Sequence, residues 1–126
     1  MLDASVLMAA MQPEDSHHAH ALRILRHHAV SEGLLVHGVT LAESAVGAAR
    51  AGHIDALQRA CRRLGLNVVP SDDGEPWRVA VMRAETGLGL PDCYVLDAAR
   101  RTQALLASFD ARLNSAAVVM DIGLVD

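Results

Sequence analysis

Short apolar runs alternate with longer segments whose apolar residues recur every three or four positions, and this alternation continues along the whole chain. Met1–Asp3 opens as a short apolar strand, and Ala4–Met11 then takes helical spacing. Gln12–Ser16 is a polar loop that ends with Asp15 or Ser16 as a helix N-cap. Leu22, Leu25 and Ala29 mark the apolar stripe of an amphipathic helix that runs to Ser31. Gly33 closes it, and Leu34–His37 is apolar enough for a buried parallel strand. Thr40 is expected to cap a helix that carries Glu43 and ends at Ala51; beyond Gly52, a further helix covers His53–Leu64 and stops at Gly65.

Leu66–Val69 reads as a strand ended by Pro70, Ser71–Pro76 as an acidic, solvated loop, and Trp77–Thr86 as a helix. After the turn GLGLP, a helix opens at Pro91 and runs to Thr102, with proline in a favourable first-turn position. Ala104–Ser108 is expected as a fourth strand and Ala117–Met120 as a fifth. Strands alternating with helices predict an α/β fold, a central parallel sheet of four to five strands with helices on both faces. A length of 126 residues fits a single domain over 1–126.

Composition narrows the classes. Apolar residues make up 52% and charged residues 21%, enough for a core and unlike a disordered chain. No apolar stretch approaches the roughly 20 residues of a membrane span, so no membrane association is expected. Asp3 and the lack of a basic start leave no signal-peptide pattern. Cys61 and Cys93 lie in unlike contexts, which fits a reduced, cytoplasmic protein better than a disulfide framework. The net charge of −4 excludes gripping nucleic acid by bulk positive charge. All 11 basic side chains are arginine, which removes chemistry that needs a lysine, such as the P-loop.

Against that background four acids stand out: Asp3 in MLDASVL, Glu43 in TLAES, Asp92 in LPDCYVLDAA and Asp110 in SFDARL. Singly, each has an ordinary reading as a helix-start or turn residue. Together they fall on the C-terminal edge of the predicted sheet, where open α/β folds hold ligands. Four carboxylates there would repel one another unless a hard cation neutralised them. Ser5 and Ser108 stand beside two of the acids, where a hydroxyl can hold a carboxylate in place.

Asp97, five residues after Asp92, faces elsewhere on its helix and is expected to pair with Arg100 or Arg101. His17 and His20 have metal-compatible spacing, but nothing completes a zinc pattern around them. The aromatics Trp77, Tyr94 and Phe109 are too few for a base-stacking platform.

In the order and spacing of LDASVL, EDSHHAHALRIL, TLAES, LPDCYVLDAA and SFDARLNSAA, the chain resembles a PIN domain, specifically a VapC-type toxin of a toxin–antitoxin pair. The resemblance implies a three-layer α/β/α PIN-like fold and a metal-dependent endoribonuclease using one or two Mg²⁺ or Mn²⁺ ions. It implies that Asp3 and Asp92 bind metal, with Glu43 and Asp110 ligating directly or through water, and that Ser5 and Ser108 support them. It also implies a homodimer, a cognate VapB-type antitoxin and a tRNA or rRNA substrate. Arg50, Arg78, Arg83 and Arg112 are the candidates for holding RNA.

Two other readings compete. A PIN-like module that binds a protein partner without catalysis is disfavoured by the intact acidic quartet. A haloacid-dehalogenase-like phosphatase would need an acid where Ser5 stands and a lysine later, and both are missing.

Overall fold

The computed structural model describes residues 1–126. Its elements are α1 (Ala4–Met11), α2 (His18–Ser31), β1 (Leu34–His37), α3 (Gly38–Arg50), α4 (Ile54–Leu64), β2 (Leu66–Val69), α5 (Glu75–Thr86), α6 (Leu90–Thr102) and α7 (Ala111–Val119). The regular ladder is the parallel pair β1–β2, with Leu34 opposite Leu66 and His37 opposite Val69. Single parallel bridges extend it: Leu2 joins Val36 on one side and Ala107 on the other, and Leu106 joins Leu124. Across the molecule the order is therefore β2, β1, the Leu2 segment, the Leu106–Ala107 segment and Leu124, all parallel.

The middle positions stay short because the chain leaves the sheet almost at once. Leu2 N donates to Leu35 O at 2.8 Å and Asp3 N donates to Ala107 O at 3.0 Å, but Asp3 is already the N-cap of α1. The expected fifth strand at Ala117–Met120 is instead the end of α7 and its C-cap. Asp110 caps that helix, and Leu113 and Ala117 lie four apart on its buried face, so the helical period prevails. Val118 and Val119, which suggested a strand, are exposed. The outer sheet position falls to Leu124.

The pleat sorts the core into two layers, as a period of two requires. Leu2, Leu34, Val36 and Ala107 point into one cluster with Val6, Leu7 and Ala9 of α1 and Ala21, Ile24 and Leu25 of α2. Their sequence neighbours Met1 and Leu106 point the other way, against α5, α6 and α7. Helices thus cover both faces of a thin sheet.

Two expected caps differ. Thr40 is buried in the first turn of α3, and the cap is His37, whose Nδ1 accepts from Val39 N at 3.1 Å. Asp15 accepts from His17 N at 2.7 Å, one residue before α2 begins, so it orders the approach to the helix. Helices α4 and α5 end as their glycines predict: Gly65 and Gly87 take the left-handed conformation at φ 67° and 71°, which glycine adopts without a Cβ penalty.

The acidic loop is only partly solvated. Glu75 is buried, contrary to expectation, because His37 Nε2 donates to both of its oxygens at 3.2 Å and Arg101 Nη2 donates at 2.9 Å. Asp97, completely buried, accepts from Arg78 Nε at 2.8 Å and from Arg101 Nε at 3.1 Å. Arg78 also reaches Asp72. This chain of charges ties β1, α5 and α6 together behind the sheet edge. No helix is long and apolar enough to cross a membrane.

Candidate active site

Asp3 is fixed from three directions. It is 6% exposed and sits where the first sheet segment turns into α1. Its Oδ2 accepts from Ser5 Oγ at 2.7 Å, from Ser108 Oγ at 2.8 Å and from Ser5 N at 3.4 Å. The two hydroxyls lie 3.3 Å apart, and Ser5 Oγ also accepts from Phe109 N at 2.9 Å. One oxygen of Asp3 is thereby held by donors, and no protein donor hydrogen-bonds the other. A carboxylate supported in this way presents its free oxygen in a defined direction.

Asp92 stands in the first turn of α6 and is half-buried. Burial pushes its carboxyl above the ordinary carboxylate range, and the negative charges of Asp3, Asp110 and Glu43 push in the same direction; Arg112 opposes them. Asp92 therefore feels the charge of three acids that come from three other segments. Asp110 is the N-cap of α7, with Oδ1 accepting from Arg112 N at 2.8 Å and Leu113 N at 3.2 Å. Glu43 is exposed in the second turn of α3. Asp3, Asp92 and Asp110 lie at the starts of α1, α6 and α7, so three helix dipoles favour negative charge at this edge.

The candidate arginines divide by location. Arg112 is the basic side chain whose charge acts on Asp92. Arg83 holds the carbonyls of Gly87 and Leu88, just before α6. Arg78 is committed to Asp72 and Asp97, and Arg50 is exposed at the end of α3.

Several residues around the acids carry no local sequence signature. His37 ends β1 one register step beyond the Leu2–Val36 bridge, so it lies beside Asp3 along the edge. Its ring stacks on Tyr94 of α6 at 4.9 Å, two residues after Asp92. Because Nδ1 accepts a backbone hydrogen bond, the proton sits on Nε2 and faces Glu75. Asn114 Nδ2 donates to Ser108 O at 3.0 Å, and its buried Oδ1 has no partner. At the start of α2, the cap residue His17 and His20 both pack on the ring of Phe109.

The donor set fits a hard divalent cation: carboxylate oxygens only, one of them freed by the geometry of Asp3, and a like-charge strain on Asp92 that a cation would relieve. No three of these side chains are arranged to hold an ion in this structure. The cavity lined by Met1, Leu34, Ala104 and Leu105 lies at the N-terminal edge of the sheet, away from the acids.

No curated protein matches the chain. Among solved structures it is similar to the crystal structure of PAE2754 from Pyrobaculum aerophilum, with 23% identity and a TM-score of 0.59. The alignment covers 90% of this chain and 82% of that one, and supports the fold. The model of the PIN domain family matches residues 1–119, nearly the whole chain. With the parallel sheet between helical layers, that match shows that the chain belongs to the PIN domain family, whose members are generally metal-dependent nucleases.

Proposed function

We propose that the protein is an endoribonuclease whose acids Asp3, Glu43, Asp92 and Asp110 work around one or two Mg²⁺ or Mn²⁺ ions, and that it acts as the toxin of a toxin–antitoxin pair. The observation that carries the catalytic reading is the placement of Asp3, Asp92 and Asp110 at three helix starts, with Asp3 held by two serine hydroxyls and Asp92 pushed above the ordinary carboxylate range by burial and by the charges of Asp3, Asp110 and Glu43. Carboxylates gathered at this cost are what a cation-dependent site requires.

In this reading Asp3 and Asp92 hold the metal, and Glu43 and Asp110 ligate it directly or through water. A bound cation would supply Lewis-acid stabilisation of the phosphoryl oxygens and lower the pKa of an attacking water. Ser5 and Ser108 keep Asp3 in a single orientation through their hydroxyls. Asp110, exposed at the helix start, orients the attacking water and takes its proton. Arg112 offsets part of the negative charge and would supply a guanidinium for the incoming phosphate. Cleavage leaves a 5′-phosphate and a 3′-hydroxyl.

Partners follow from the same reading: a tRNA or rRNA substrate, a second copy of the chain, and a VapB-type antitoxin. The apolar face shared by α3 and α4, with Leu41, Ala45, Ile54 and Leu57, supports a protein partner, since α4 buries none of its residues within the monomer. The test of the catalytic reading is cleavage of total RNA with Mg²⁺ or Mn²⁺, followed by mapping of the ends. Cleavage that stops with EDTA and leaves 5′-phosphates is expected; cleavage unaffected by EDTA would overturn it.

A further inference from the structure

Phe109 lies between Ser108, which holds Asp3, and Asp110, and its own backbone N–H is bonded to Ser5 Oγ. Its main chain is therefore part of the acidic edge. Its ring leaves that edge toward α2. There the His17 ring lies over it, with centroids 4.4 Å apart and planes only 18° from parallel, and the His20 ring tilts against it at 5.2 Å. The His17 side chain is 53% exposed, so the outer layer of this stack is a flat ring open to solvent.

We propose that the His17–Phe109 stack is a seat for an unpaired nucleobase of the RNA, next to the nucleotide whose phosphate meets the acids. The proposal rests on the endoribonuclease reading and names the part of the substrate that the acids cannot recognise. Single-stranded RNA is bound by stacking of its splayed bases on aromatic side chains, histidine among them. Such stacking tolerates any base because each has a π-face. The stack also borders a groove lined by His20, Arg23, His27 and Asp126, where a neighbouring phosphate finds the Arg23 guanidinium. The backbone that carries the ring is held: Asp15 accepts from His17 N at 2.7 Å, a main-chain bond that a substitution of the side chain leaves in place. His17 is thus a positioning residue for the substrate.

The test measures binding of single-stranded RNA oligomers of about ten nucleotides to the full-length Asp92→Asn protein with Mg²⁺. One series carries all its bases and the other carries consecutive abasic sites. The base-bearing series is expected to bind about tenfold more tightly. His17→Ala should erase most of that difference, and His17→Phe should restore it, which a purely structural role would not produce. If the preference for bases persists in His17→Ala, or if both series bind the parent protein equally, the stacking seat is wrong while the nuclease reading stands. If neither series binds, the RNA reading itself fails along with the seat.

Discussion

The hydroxyl of Ser108 donates to Oδ2 of Asp3 at 2.8 Å across 105 residues of sequence. Ser5 donates to the same oxygen from two residues away. A carboxylate gripped by two hydroxyls on one oxygen loses the freedom to rotate, and the cost of positioning it is met before any ligand arrives.

Ser108→Ala should therefore keep the fold and lower metal-dependent activity by about 10–100-fold, the usual effect of removing a group that orients a ligand. The accompanying sign is a higher Mn²⁺ concentration for half-maximal rate. Metal titrations of the cleavage rate for wild type and variant check it. An unchanged metal requirement would assign Ser108 to fold alone.

Asp92→Asn is expected to abolish cleavage and yet raise the melting temperature of the metal-free protein by a few degrees at neutral pH. Burial and three like charges hold the Asp92 pKa above its ordinary 3.8. For a raised pKa, the favourable contribution is complete below the unfolded value and disappears as pH rises through the folded value. At pH 7 the ionised side chain is thus a liability that asparagine removes, modest because solvent screens a half-exposed group. Near pH 3 wild type and variant should melt together. Scanning calorimetry at the two pH values is the check, and Mn²⁺ should raise the wild-type melting temperature alone.

Asp97 carries the opposite sign. Burial disfavours its charge, but hydrogen bonds from Arg78 and then Arg101 outweigh burial and hold its pKa below 3.8. Its stabilising contribution is present above the unfolded value and is lost as pH falls through the folded one. Asp97→Ala leaves two guanidinium groups without their buried partner and should cost about 3–5 kcal/mol. Urea unfolding at pH 7 measures the loss. A cost below about 1 kcal/mol would mean that the pair behaves as an exposed one.

His37→Ala removes the cap of α3 and one of the two partners of buried Glu75. The cap alone contributes about 1 kcal/mol. The under-partnered carboxylate adds roughly 1–3 kcal/mol. Because α3 carries Glu43 and Tyr94 rests on the His37 ring, activity should fall along with stability. Near-wild-type melting and cleavage would show that neither contact matters.

What could be read in the sequence depended on how local its cause is. Asp3 and Asp110 stand out because an acid at the end of a short apolar run has a signature within a few residues, although the helix that Asp110 caps is not announced by the sequence. Glu75 did not, since its partners His37 and Arg101 are 38 and 26 residues away and its neighbours suggest a solvated loop. The run Ala117–Met120 looked like a strand because consecutive apolar residues do not distinguish a short strand from a helix end. The Leu124 bridge is too short to show any period. The stack on Phe109 has no local signature, because the spacing of His17 and His20 points to a metal ligand and not to a flat ring, and Phe109 lies about ninety residues away in sequence.

The central claim is that the four acids act as one unit, and the most direct measurement is the RNA cleavage rate with Mn²⁺ of Asp3→Asn, Asp92→Asn and the double variant. Residues that act together are strongly non-additive. Each single variant should lose at least about 100-fold, and the double should be no slower than the worse single. Independent, multiplying losses, or a single variant that cleaves at the wild-type rate, would contradict the account.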